Sequence, residues 1–226
     1  HIDGSGLLDY QAVAALERGD LVLEMLPVDE MAAALRAAGV DTDRHIVLYG
    51  TPAHYAARVY VTLDYLGHER VSVLDGGLEA WSHEGRPVQA VPMRYTAGNF
   101  VPRLRENVLV SLEWVDDHLG DNKVVLVDAR PADQFRGEVL SGGMRPGHIP
   151  GAKNIFWVDL LESEDMPRLR DIETVRQRYE TAGAAADRIV VSYCYIGMRA
   201  SYTYVIGKHL GLDSRFFDGS WDEWAA

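Results

Sequence analysis

Short runs of apolar, mostly β-branched residues recur along the chain, with amphipathic stretches between them. Val124-Val125-Leu126-Val127 and Ile189-Val190-Val191 are the plainest, and Ile46-Val47-Leu48 and Val71-Ser72-Val73-Leu74 read likewise. Runs without polar alternation are expected of strands buried on both faces. Residues 108–115 read as a further strand. Helical spacing predicts helices over residues 29–38, 54–66, 172–182 and 199–210, with a short one near 131–136. Gly39, Gly67, Gly183 and Gly211 follow the four longer stretches, where glycine is the usual stop. Strand-helix alternation predicts an α/β fold of parallel sheets flanked by helices.

The pattern is written twice. "HIDGSGLLD" at His1 is matched by "HIPGAKNIF" at His148, "DRHIVLYG" at Asp43 by "DRIVVSYC" at Asp187, and "VLDGGLEAW" at Val73 by "FFDGSWDEW" at Phe216. The three matches keep their order at a near-constant offset, as a duplicated unit requires. Residues 1–86 form the first copy and residues 108–226 the second. Residues 87–107, with Pro87, Pro92, Pro102 and Gly98 and no clear period, form the linker. The second copy has strands ahead of its "HIPGA" turn that the first copy lacks. A parallel sheet deprived of a strand leaves backbone groups unpaired. The chain is therefore expected to be a fragment, its opening segment cleaved, trimmed or supplied by a separate chain.

Composition narrows the partners. With 34 acidic and 22 basic residues the net charge is −12, which disfavours nucleic acid. No apolar run is long enough to span a bilayer, so no membrane partner is expected. An anionic substrate would have to be drawn in by local positive charge. The single cysteine can form no internal disulfide, which fits a reducing, cytoplasmic setting. The eight histidines show no metal spacing, and no Gly-rich phosphate motif is present, so neither a metal nor another cofactor is expected.

That cysteine, Cys194, stands where a strand ends and a helix is about to begin. Between them lies Cys194-Tyr195-Ile196-Gly197-Met198-Arg199. Such a loop gathers backbone N–H groups that favour an anion. Gly197 lets it curl and Arg199 adds a fixed positive charge. A thiol placed there is expected largely as the thiolate, a nucleophile rather than a buried bystander. The matching position in the first copy is Gly50, so that copy has no thiol and reads as a structural half shaping a cleft. His54 and Tyr55, near the equivalent loop, read as surface residues.

"VVLVDARPADQFRGE…RPGHIPGAKNI", "VVSYCYIGMRAS" and "FFDGSWDEW" resemble the rhodanese family, and within it the tandem-domain thiosulfate and 3-mercaptopyruvate sulfurtransferases. The resemblance implies an inactive first domain, a catalytic second domain and a Cys194 persulfide that carries sulfur from a small-molecule donor to a thiophilic acceptor. It implies substrate contacts from the loop residues Tyr195, Ile196, Gly197, Met198 and Arg199. Arg130 and Arg145 are candidate anion holders, with an ion pair to a nearby carboxylate as the competing role for Arg130. Gln134 stands where many members of the family have another arginine. Thiosulfate is the preferred donor because Arg199 suits a dianion; mercaptopyruvate, and a non-enzymatic persulfide carrier, are the alternatives. The similar loop of dual-specificity phosphatases needs five residues between Cys and Arg, and here there are four. Asp128 reads as a loop anchor, His148 as a turn-stabilising residue, and Trp81 and Trp224 as core.

Overall fold

The protein's computed structural model describes residues 1–14, 16–18, 21–140 and 145–226. The first half opens with an antiparallel hairpin, β1 (Leu16–Arg18) and β2 (Leu21–Glu24), followed by α1 (Val28–Ala37). Strands β3 (Ile46–Leu48) and β4 (Val71–Val73) pair in parallel and are joined by α2 (Ala53–Tyr65); α3 (Gly77–His83) follows. The second half runs β5 (Leu109–Val110), α4 (Leu112–Asp117), β6 (Val124–Asp128), α5 (Ala132–Phe135), β7 (Lys153–Asn154), α6 (Ile172–Thr181), β8 (Ile189–Tyr193), α7 (Met198–His209), β9 (Asp213–Phe217) and α8 (Ser220–Trp224). Its five strands form one parallel sheet in the order β5-β9-β8-β6-β7. The expected α/β fold with helix-flanked parallel sheets is the fold observed.

β8 lies at the centre of that sheet, so the residue after it emerges at the middle of the carboxyl edge. Side chains alternate across the sheet as a strand requires. Val125, Val127 and Val190 face the cluster holding Val175, Tyr179 and Ile206. Leu126, Val191 and Tyr193 face Ile149, Phe217 and Trp221. The first half has its own core of Met31, Leu35, Val59, Leu63, Leu66 and Phe100.

The strand expected over residues 108–115 is a correction. Only Leu109–Val110 pair, and helix α4 begins two residues later. Ser111 caps it, its side chain accepting from the Trp114 N–H, and Val115 turns inward one turn on. Trp81 is also less buried than core: it is partly exposed, donates to the Pro87 carbonyl oxygen and lies under Arg86. Trp221, not Trp224, is the tryptophan sealed in the second core.

Helices α2 and α7 pack face to face and join the halves. α7 is buried nearly all round, as a helix between a sheet and another helix must be. Across the contact the buried Asp64 accepts from the Tyr204 hydroxyl at 2.6 Å, pairs with Lys208 at 3.2 Å and also holds Arg105. The duplication shows in the joints. Asp218 accepts from the Met25 N–H at 2.8 Å, and its twin Asp75 accepts from the Leu169 N–H at 2.7 Å. Among the described residues no helix is long and apolar enough to cross a membrane.

Candidate active site

Cys194 follows β8 directly, and α7 starts four residues later. The loop between them is fixed from one side by the start of α8. The Cys194 N–H donates to Ser220 Oγ at 3.3 Å, and the carbonyl oxygens of Cys194 and Tyr195 accept from the N–H groups of Trp221 and Asp222, both at 2.9 Å. Gly197 turns the chain into α7 with φ 80°, the left-handed region that favours glycine. A Cβ at this position would sit 3.1 Å from Arg58 Nη1, 3.2 Å from the Asp218 carbonyl oxygen and 3.2 Å from the Phe216 ring. The turn therefore favours glycine, and a side chain would press on these three neighbours. The amide hydrogens of residues 195–200 meet no acceptor among the described residues. They are the unsatisfied donors of a helix start, joined to those of the loop before it.

Cys194 is only 1% exposed, yet it lines a cavity of about 350 Å³. It also packs in a buried cluster with Ala129, Ala200, Tyr204 and Phe216, so the thiol lies between the core and the cavity. Tyr195, Ile196, Met198 and Arg199 line the same cavity, with Gln134 from α5. Arg199 forms no ion pair with a described residue. The Tyr195 hydroxyl is pushed above its usual range by burial and by the Asp222 carboxylate to which it hydrogen-bonds.

The rest of the wall comes from the first half. Tyr10, His54 and Tyr55 line the cavity, so the surface placement expected for His54 and Tyr55 is corrected. Both are residues of α2, and the packing of α2 on α7 carries them over the Cys194 loop. His54 is held down at about 4, first by burial and then by the positive charge of Arg199. It is therefore neutral at physiological pH. A folded value below the usual 6.5 means that the unfolded chain binds the extra proton more readily. Stability is expected to fall as pH drops from about 6.5 towards 4, and the His54 ring carbons should show no NMR titration step near neutrality.

Two of the arginines singled out in the sequence are used elsewhere: Arg130 takes its competing role, an ion pair to a nearby carboxylate, and the anion-holding place expected of Arg145 is corrected. Arg130 is 1% exposed, and its guanidinium is bound to Asp128 through Nε at 3.0 Å and Nη2 at 2.7 Å. It also donates to the Gly147 carbonyl oxygen at 2.7 Å and lies over the Trp221 ring at 4.5 Å. Arg145 donates to the carbonyl oxygens of Ala225 and Ala226 at 3.1 and 2.9 Å. Neither lines the cavity. Arg130→Gln is expected to lower stability by roughly 3 kcal/mol, because Asp128 would be left buried and unpaired. Donor KM should change little. Thermal unfolding beside steady-state kinetics checks this, and a large rise in KM with unchanged stability would contradict it.

His148 stacks on Phe135 and its Nδ1–H donates to the Phe135 carbonyl oxygen at 2.7 Å, within the "GHIPGA" turn. Among the described residues no group of three or more His, Cys, Asp or Glu side chains is arranged to hold a metal ion.

Two residues escaped the sequence reading. Tyr10 carried no signal. Arg58 did, as a lone charge in the apolar stretch "YAARVYV". It is fully buried, pairs with Asp218 at 2.7 Å and lies over the Phe216 ring at 5.2 Å.

A family model described as a rhodanese-like domain matches residues 1–84 and 111–226. The chain belongs to the rhodanese-like domain family. Its two matched segments fall one in each half of the chain. A sulfur carrier protein, TtuD of Thermus thermophilus, is 32% identical over 239 residues, covering 99% of this chain and 82% of that protein. The thiosulfate sulfurtransferase of Gallus gallus is 34% identical over 211 residues, covering 88% of this chain and 70% of that one. The crystal structure of SseA from Escherichia coli, a 3-mercaptopyruvate sulfotransferase, superposes with a TM-score of 0.84 at 27% identity, covering 98% of this chain and 83% of the other. The rhodanese relatives are thus sulfurtransferases and a sulfur carrier.

Proposed function

We propose that this rhodanese moves sulfane sulfur from thiosulfate to a thiophilic acceptor through a persulfide on Cys194. One observation carries the reading: the chain's single thiol shares a cavity with a guanidinium that has no ion pair among the described residues, at the head of a loop whose amide hydrogens meet no acceptor among them. The Cys194 thiolate attacks the outer sulfur of thiosulfate. The Sγ–S bond forms as the donor's S–S bond breaks, and the electron pair leaves with sulfite. A thiolate and a dianion become a persulfide anion and a dianion, so no proton is needed. Loop amides and Arg199 stabilise the charge throughout, as an oxyanion hole does. Cyanide then takes the outer sulfur and leaves as thiocyanate, restoring the thiolate. The chemistry asks for no general acid or base, in keeping with a neutral His54 and an Asp128 committed to Arg130.

Two steps that share a covalent intermediate give ping-pong kinetics. Initial rates with thiosulfate and cyanide varied together should therefore give parallel double-reciprocal lines, and intersecting lines would contradict the mechanism. Arg199→Gln is expected to lower kcat/KM for thiosulfate by roughly 10- to 100-fold, the worth of a charged hydrogen bond. Arg199→Lys should restore part of the loss. Equal rates in all three proteins would remove Arg199 from the site.

A second reading, a persulfide carrier serving a protein partner, is favoured by the light cationic lining left once Arg130 and Arg145 are occupied elsewhere. It predicts that Cys194 accepts sulfur but turns over slowly with small acceptors. Mercaptopyruvate in place of thiosulfate is the remaining alternative donor, and both donors belong in the same assay.

A further inference from the structure

We propose that a second cavity, in the joint between the two halves, binds an organic ammonium ion carried on an apolar body, of the arylalkylamine class. It is separate from the Cys194 cavity, with which it shares no lining residue. The proposal does not depend on the persulfide reading.

Both halves build the wall. The end of β2 and the start of α1 supply residues 24–28, and Tyr65, the last residue of α2, joins them. The second half supplies residues 109–111 and Trp114, and the turn into α8 supplies Asp218, Gly219 and Glu223. The volume is about 700 Å³, within the range of small-molecule sites.

Most of the wall is apolar. Met25, Leu26 and Val28 line it from one half and Leu109 and Val110 from the other, with the rings of Tyr65 and Trp114. Trp114 is held by His118, stacked on it at 3.9 Å and 16°. A ring already held needs little ordering when a ligand arrives.

Among the described residues every charged side chain of the lining is a carboxylate: Glu24, Asp218 and Glu223. Asp218 is fixed by Arg58 at 2.7 Å and by the Met25 N–H at 2.8 Å. Glu223 Oε2 rests against Gly219, and Glu24 is 8% exposed. A carboxylate offers about four lone-pair sites, so it keeps acceptor capacity beyond one or two partners. An anion in this cavity would meet like charge from both halves. An ammonium group supplies donors to the carboxylates, and its apolar body covers the carbon wall. Low-dielectric walls strengthen that attraction. A hard metal ion suits the cavity less well. Such an ion gathers about six oxygens at once. Among the described residues no three His, Cys, Asp or Glu side chains are grouped to hold one.

The test uses the full chain and three probes at neutral pH. Phenethylamine carries charge and ring, phenethyl alcohol the ring alone, and methylamine the charge alone. Isothermal titration calorimetry should show one phenethylamine site per chain. Each of the other probes should bind at least about tenfold more weakly, the scale of a charged hydrogen bond or of a filled apolar pocket. A ligand that touches both halves binds the joined, folded form, so Tm should rise by several degrees with phenethylamine at roughly 100 times its Kd. Glu223→Gln and Glu24→Gln should each weaken phenethylamine by about tenfold and leave the alcohol unchanged. If Glu24→Gln fails to fold, Glu223→Gln carries the comparison alone. Arg199→Gln should bind phenethylamine as the wild type does, because Arg199 lines the other cavity. Four results overturn the proposal: no binding, the alcohol or methylamine binding as tightly as phenethylamine, an affinity indifferent to Glu223→Gln, or an altered affinity in Arg199→Gln. The last would put the amine over Cys194.

Discussion

Cys194→Ser should abolish sulfur transfer while the protein remains folded. The substitution exchanges one sulfur for one oxygen at a residue that is 1% exposed, so packing is nearly conserved. Burying the hydroxyl should cost on the order of 1 kcal/mol, which for a chain of this size lowers Tm by roughly 2–4 °C. The effect on chemistry is far larger. An unactivated serine hydroxyl is a much poorer nucleophile than a thiolate, and no second thiol exists in the chain to replace it. Thiocyanate production should drop by about 10³-fold or more, the scale seen when a covalent nucleophile is lost. Two measurements decide it together: a circular dichroism melt and the thiosulfate-to-cyanide assay. A folded Cys194→Ser protein with near wild-type turnover would end the covalent mechanism.

Arg58→Met should be the most destabilising of the substitutions considered. Arg58 comes from the first half, yet it packs against the Cys194 loop. Its guanidinium pairs with Asp218 at 2.7 Å, lies over Phe216 and packs closely against Gly197. Losing one partner of a buried ion pair costs about 3–5 kcal/mol, and the lower end applies here because Asp218 keeps some access to water. Tm should fall by roughly 10 °C, and Asp218 would lose one of the two interactions that tie the halves at this joint. Arg58→Met combined with Asp218→Asn should cost less than the sum of the two single changes. An additive double mutant, or a Tm within a degree or two of wild type in Arg58→Met, would show that the pair does not hold the joint.

The parts of this molecule written locally were the parts legible in its sequence. β6 and β8 are unbroken apolar runs, and the Cys194 loop declares itself through a strand end, a glycine and an arginine within six residues. Residues 108–115 were misleading because apolar Leu112, Trp114 and Val115 follow β5 with only Ser111 and Glu113 between them. Ser111, a helix-capping residue with Glu113 in the first turn, was the overlooked boundary. Arg130 stands two residues from the carboxylate that claims it, and "DAR" held both candidates without saying whether a substrate or Asp128 would win. The first half's share of the cavity was beyond reach. Tyr10, His54 and Tyr55 meet the Cys194 loop only because α2 and α7 pack together, and no spacing in the chain encodes that contact. Arg58 lay between these extremes: a charge amid apolar helix positions announces a buried partner, but not that Asp218, far along the chain, supplies it.

Cys194 itself should take up sulfur from the donor. Intact-mass analysis of the reduced protein after incubation with thiosulfate, beside Cys194→Ser treated alike, measures this without any acceptor. One added sulfur atom on the wild-type chain, localised to the peptide containing Cys194, released by cyanide and absent from Cys194→Ser, is the result expected. A wild-type chain whose mass does not change in thiosulfate, or a Cys194→Ser chain that gains the same mass, would contradict it.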